Sequence, residues 1–307
     1  MFRIALLPLF VVCLASLGCT TNKATGDSHF NLLSPEQERA MGEEFAAEIK
    51  STQPVLASGP ITRAVERVGN KLARQSEEPD LPWEFVVIDQ PTVNAFALPG
   101  GKVFIYRGLL AEMTNEAQLA AVLGHEIGHV TAEHHDRRHQ SQVGMGVLVS
   151  AVGIAGSMSG SEWGQYAGVA ASASGGLAIA KWGRDQESQS DELGLRYMTR
   201  AGYNPQGMVQ LMEILGRASG GGGIEWTQTH PLPATRIERT SRLITNEYQA
   251  DLDLPFYESR FERQVADPIA QLAASPVLED NTALARLHGG ESPHHCATCY
   301  QMSRLPQ

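Results

Sequence analysis

Leu123-Gly124-His125-Glu126-Ile127-Gly128-His129-Val130 is the stretch from which the rest of the chain can be read. Residues four apart lie on one face of an α-helix, so a helix here brings the imidazoles of His125 and His129 to a single metal ion. His-Glu-x-x-His is a compact hydrolytic zinc site. Glu126 points beside the ion, where it can take a proton from an attacking water and pass it to a leaving amine. On a wheel of about 100° per residue, Leu119, Val122, Leu123, Ile127 and Val130 form an apolar arc, with Glu126 inside it and both histidines at its margin. A helix buried on that side leaves a carboxylate and two imidazoles in poor solvent unless something pairs with them, as a divalent cation would.

A catalytic zinc site has three protein ligands and one open position, so a third donor is expected downstream. Glu187 is the best candidate, in the polar segment Arg184 to Glu192 that reads as a helix start. Asp191, one turn further on the same face, is placed to hold the far nitrogen of a ligand histidine. From spacing alone these acidic residues equally suit a solvated helix face, and Asp185 or Glu192 compete for the ligand role.

Asn94-Ala95-Phe96-Ala97-Leu98-Pro99-Gly100-Gly101, the His125 to His129 motif and Glu187-x-x-x-Asp191 together resemble the metallopeptidase family that includes the CAAX prenyl endoprotease, HtpX, and the bacterial lipoproteins LoiP and BepA. The likeness covers about residues 35 to 246. It implies an α+β, mainly α, zincin-like domain with a small mixed β-sheet carrying an edge-strand hairpin. By resemblance, one zinc ion per chain is held by His125, His129 and Glu187, with Glu126 as catalytic base and Asp191 behind the ligands. Ser190 stands where the family usually has alanine, a small departure since serine is nearly as small. The resemblance also makes Asn94, Ala95, Phe96 and Ala97 an edge strand that binds substrate by backbone pairing. The Thr229 to Ile237 segment matches a family loop near the zinc. There His230 either caps the metal at rest or, like Arg236, stabilises the oxyanion.

Around this centre the sequence predicts a helix from Pro35, with Ser34 as cap and Gln37 closing a capping box. A second helix is expected over about Ile61 to Gln75, with Ile61, Val65, Val68 and Leu72 on one face. Both are expected to pack around the motif helix. Trp83 to Ile88 reads as a strand, and Asn94 to Leu98 with Lys102 to Tyr106 as a hairpin turned at Pro99-Gly100-Gly101. Further on, helices are expected to end near Gly202 and to restart after Asn204-Pro205. Gly220 to Gly223 reads as a flexible link, and from Ala250 one or two weak helices follow. Those are too few for a tetratricopeptide array at about 34 residues per repeat, which favours LoiP as the closer comparison. The apolar runs Val143 to Gly156 and Ala167 to Ala180 are each shorter than the roughly 20 residues of a membrane span. They read as a hairpin packed through small residues, or as a lid or membrane-facing element.

Met1 to Cys19 reads as a secretion signal: Arg3 supplies the positive region, Ile4 to Leu17 the apolar one and Gly18-Cys19 a lipid-attachment junction. Ser16 occupies the position three before the cysteine where leucine is usual, so plain cleavage near Gly18 or an uncleaved anchor are the alternatives to acylation of Cys19. Thr20, by analogy with bacterial lipoproteins, points to the outer membrane, with the protein on the periplasmic side. The expected organisation is signal peptide 1–18, lipid-anchored and loose tether 19–33, zinc metallopeptidase domain 34–248 and C-terminal extension 249–307. The 307 residues are 42% hydrophobic, enough for a sizeable core, and the net charge of -10 argues against nucleic acid or an anionic membrane surface as partner. Of four cysteines, Cys13 leaves with the signal and Cys19 takes lipid. Cys296 and Cys299, after His294-His295, are open to a disulfide, a redox pair or a small metal site. The expected function is a zinc-dependent endopeptidase acting on unfolded or misassembled envelope proteins. A non-proteolytic, chaperone-like assembly factor for outer-membrane proteins is the rival, against which an intact Glu126 argues.

Overall fold

A computed structural model describes residues 19–30, 34–135, 183–219, 230 and 234–274. The signal segment 1–18, the apolar runs 143–156 and 167–180, the glycine run 220–223 and the tail motif 294–299 lie outside the described residues. The first described elements form a small antiparallel hairpin, β1 (Cys19–Thr21) with β2 (Ser28–Phe30). The segment expected to be loose is therefore docked. Asn22 is buried: its side-chain amide donates to the Thr131 carbonyl at 2.8 Å, and its Oδ1 accepts from the amides of Ala24 and Thr25 at 2.9 and 3.0 Å. A polar segment fastened by scattered long-range hydrogen bonds carries no periodic signature, which is why composition suggested a tether.

Helix α1 (Pro35–Thr52) starts as its sequence predicts, with Ser34 Oγ accepting from the Gln37 amide and Gln37 Oε1 from the Ser34 amide. Helix α2 (Pro60–Ala73) buries Ile61, Val65, Val68 and Leu72. Strands β3 (Glu84–Ile88), β4 (Ala95–Leu98) and β5 (Lys102–Tyr106) make a mixed sheet in the order β3-β5-β4, β5 being parallel to β3 and antiparallel to β4. The β4–β5 turn runs through Gly100 and Gly101 at φ of 73° and 85°, values that glycine adopts without a Cβ clash.

Side chains alternate across the sheet. Phe85, Val87, Ala95, Ala97, Val103 and Ile105 enter the main core, while Val86, Ile88, Leu98, Phe104 and Tyr106 face Ala46 and Ile49 of α1. A sheet apolar on both faces needs cover on both, so α1 lies on the far face rather than around the motif helix as expected. Helix α2 does pack on that helix.

After α3 (Arg107–Ala111) comes the motif helix α4 (Glu116–Thr131), buried along its whole length between α2, β4, α5 (Arg184–Arg200) and α6 (Gln206–Ser219). The one-sided arc read from the wheel understates this, because α5 covers the other side at close range. A Cβ on Gly128 would stand 3.1 Å from both Cα and the carbonyl oxygen of Ser190. Asn115 caps α4, and the fully buried Glu116 is bound by Arg67 of α2 and by Arg260, as a buried carboxylate requires. The chain continues through α7 (Ala234–Glu247), α8 (Glu258–Phe261) and α9 (Asp267–Ala274). Phe261, Val265 and Ile269 pack into the main core, so the chain beyond residue 248 shares the core of the domain expected to end there. No described helix is long and apolar enough to cross a membrane.

Candidate metal centre

Helix α4 presents His125 and His129 with their Nε2 atoms 3.1 Å apart. The close crossing of α5 sets Glu187 beside them, Oε1 being 3.4 Å from His129 Nε2 and Oε2 3.7 Å from His125 Nε2. His230 completes the group, its Nδ1 lying 3.3 Å from His125 Nε2 and 2.9 Å from Glu187 Oε1. All four residues are buried, and their donor atoms lie within 4.8 Å of one another. Tetrahedral zinc with bonds of ~2.0–2.1 Å to nitrogen holds its ligand atoms about 3.3 Å apart. The observed spacings match that. With Nδ1 of His125 facing Asp191 and Nδ1 of His129 facing His134, their two Nε2 lone pairs stand 3.1 Å apart beside a carboxylate, a buried arrangement that one zinc ion fits.

His125 and Glu187 are held from behind. Asp191 Oδ1 lies 3.0 Å from His125 Nδ1. Arg236, itself buried, donates from Nε and Nη2 to Asp191 at 2.9 and 2.7 Å and from Nη1 to Glu187 Oε2 at 2.5 Å. Burial alone would raise the Asp191 carboxyl, but the Arg236 charge and the His125 hydrogen bond hold it below its ordinary value. Burial is likewise outweighed at Glu187 by His230 and His129, leaving it well below the usual carboxylate range. His129 is pushed well down by burial, whereas at His125 the bond to Asp191 and the Glu187 charge overcome burial and raise it.

Glu126 differs from the other groups. Its Oε1 is buried without a hydrogen-bond partner, 3.7 Å from His230 Nε2.

Residues 61–244 match the sequence profile of peptidase family M48. The chain belongs to that family. Among similar proteins, the beta-barrel assembly-enhancing proteases of Yersinia pestis and Escherichia coli (strain K12) are each 32% identical over 219 residues, covering 69% of this chain and 45% of theirs. The mitochondrial metalloendopeptidase OMA1 of Schizosaccharomyces pombe is 32% identical over 215 residues, 68% of this chain and 62% of its own. The chain thus spans just under half the length of the assembly-enhancing proteases it matches.

Within the M48 region, α5 separates the acidic residues that spacing left ambiguous: Glu187 and Asp191 turn inward and are buried, while Asp185 and Glu192 are exposed. Strand β4 is a sheet edge beside α4. The Asn94 carbonyl accepts from the Tyr106 amide at 3.0 Å, so by antiparallel alternation the backbone groups of Ala95 and Ala97 point away from β5. The Phe96 ring stacks on Phe104, centroids 5.0 Å apart. Sequence reasoning missed His134, which is fully buried with Nδ1 2.9 Å from His129 Nδ1. The available signal was His129 itself, whose far nitrogen needs a partner once the near one binds metal.

Proposed function

We propose that this chain is a zinc-dependent endopeptidase that hydrolyses peptide bonds in unfolded or misassembled proteins of the cell envelope. The observation that carries the reading is the buried Glu126 Oε1, which has no hydrogen bond, beside four converging metal donors. Zinc bound there would polarise a scissile carbonyl and acidify an attacking water. His125, His129 and Glu187 would hold the ion. Glu126 accepts the water's proton and delivers it to the amide nitrogen, which leaves as an amine. The Ala95 amide already donates to Asn94 Oδ1 at 2.9 Å, so the outward Ala95 carbonyl and the backbone groups of Ala97 hold an extended substrate by strand addition along Asn94 to Ala97. Arg236, with its donors directed at Glu187 and Asp191, positions those carboxylates. His230, the fourth converging donor, would either cap a bound zinc at rest and give way to substrate or donate to the developing oxyanion.

The envelope assignment draws on the signal-like sequence ending at Cys19, read as the site of a lipid anchor on the periplasmic side of an outer membrane. The similarity to beta-barrel assembly-enhancing proteases supports β-barrel proteins as the substrate class. The deciding experiment incubates the full chain with an unfolded outer-membrane β-barrel protein. Cleavage is expected with zinc, lost with chelator and restored by added zinc. Glu126→Gln should bind one zinc per chain and cleave nothing; undiminished turnover by that variant overturns the mechanism.

A further inference from the structure

We propose that the N-terminal hairpin is a positioning element of the metal site, in which Asp27 orients His129 through Gln189 and His134. The inference rests on His129 being a metal ligand, as assigned above.

His129 turns Nε2 toward the other donors, so the single proton of its neutral ring belongs on Nδ1. That Nδ1–H faces His134 Nδ1 at 2.9 Å, which must accept, leaving the His134 proton on Nε2. His134 Nε2–H donates to Gln189 Oε1 at 2.9 Å. With its oxygen so committed, the Gln189 amide turns its nitrogen outward, where Nε2–H donates to Asp27 Oδ2 at 3.1 Å. A carboxylate only accepts. Every proton in the relay therefore points one way, from the metal ligand to a charged end on the hairpin between β1 and β2. Asp191 performs this service for His125 directly, and Asp27 performs it for His129 at two removes.

Two further features fit the same role. Glu133 takes φ of 53°, a left-handed conformation that a non-glycine residue keeps only where its surroundings hold it. It turns the chain sharply at the end of α4 and brings His134 back onto His129. The hairpin is also fastened independently of the relay, since Asn22 donates to the Thr131 carbonyl and Arg196 Nη2 to the Ala24 carbonyl at 3.1 Å. Asp27 is thus presented by a docked element.

The test measures zinc affinity of the full chain by competition with a chromogenic chelator, and follows unfolding of the zinc-free protein in parallel. Gln189→Leu should weaken zinc binding about tenfold or more, the scale of losing an outer partner of a ligand. Asp27→Ala should weaken it by a smaller factor, while Asp27→Asn, whose amide oxygen still accepts from Gln189, stays within about twofold of the parent. Gln189→Glu offers a carboxylate to His134 directly, so it should keep parental affinity, and in that background Asp27→Ala should cost nothing more. A merely structural hairpin would not show that dependence. Lys23→Ala, which removes an exposed ion pair with Glu78 on the same hairpin, should leave affinity unchanged. Parental affinity in both Gln189→Leu and Asp27→Ala overturns the proposal, as does an undiminished Asp27→Ala effect in the Gln189→Glu background. If Gln189→Leu fails to fold, the exposed Asp27 pair of variants decides alone. Affinity is read without turnover, so a chain that binds zinc and cleaves no peptide refutes the peptidase reading and leaves this comparison standing.

Discussion

Glu187 lies buried between Arg236, His129 and His230, while Asp185 and Glu192 of the same helix are in solvent. Glu187→Ala should therefore lower zinc affinity far more than Asp185→Ala or Glu192→Ala, because it removes a donor and also leaves the Arg236 guanidinium short of a partner. Metal titration of the three variants checks this; equal affinities would mean the third ligand is misassigned. His230→Ala separates two chemistries in one measurement. Faster cleavage of a short unstructured peptide identifies a resting cap on the metal, and a fall of roughly a hundredfold or more identifies an oxyanion donor. Tyr203 bears on stability instead. Burial pushes its hydroxyl from 10.0 up to about 12, and its Oη has no hydrogen-bond partner. The fold favours the neutral phenol, so that group's contribution is complete below its unfolded value near 10 and is lost as pH rises from there to about 12. Tyr203→Phe should flatten that alkaline loss and leave neutral-pH stability unchanged or raised by about 1 kcal/mol. Denaturant melts at about pH 8 and about pH 11 test it.

The crossing of α4 and α5 is the element on which the centre depends, since one helix carries His125, Glu126 and His129 and the other Glu187 and Asp191. Its closeness rests on small residues. A methyl at position 128 would meet Ser190 Cα and carbonyl oxygen at 3.1 Å and Leu193 Cβ at 3.2 Å, and backbone atoms cannot rotate away. Gly128→Ala should cost about 1–3 kcal/mol of stability, the range for overpacking. It should also weaken zinc binding by moving Glu187 off the two histidines. Zinc affinity and a denaturant melt report both effects, and a variant with parental zinc affinity would show that α5 has slack the geometry does not suggest.

Across the whole molecule a zinc ion held by the proposed donors would act as a cross-link, because those donors come from α4, from α5 and from residue 230. A ligand bound only by the folded chain stabilises it by about 4 kcal/mol when present at a thousand times its dissociation constant. Chelation should lower the unfolding temperature and zinc should restore it, as calorimetry can follow; identical melts would argue that the four donors are preorganised without an ion. Cys19→Ser should move the protein from membrane to soluble envelope fractions, and retention in the membrane would count against a lipid anchor.

The sequence alone determined what depends on short-range periodicity. Four-residue spacing gives the motif helix and its histidine pair, short apolar runs bounded by turn residues give β3 to β5, and the Ser34 and Gln37 capping box gives the start of α1, because each of these signals is local in the chain. Family resemblance extended that to Glu187 and Asp191, which spacing could not tell from Asp185 and Glu192. Only the tertiary structure decided which acidic residues face inward, since that depends on α5 crossing α4 at Gly128. It alone joined Asn22 to Thr131 across 109 residues and Gln189 to Asp27 across 162. Polar side chains that meet over such separations leave no repeat in the sequence. Their pairing is set by how the apolar faces of distant elements pack, and the hydrogen bonds follow once that packing removes water from both partners.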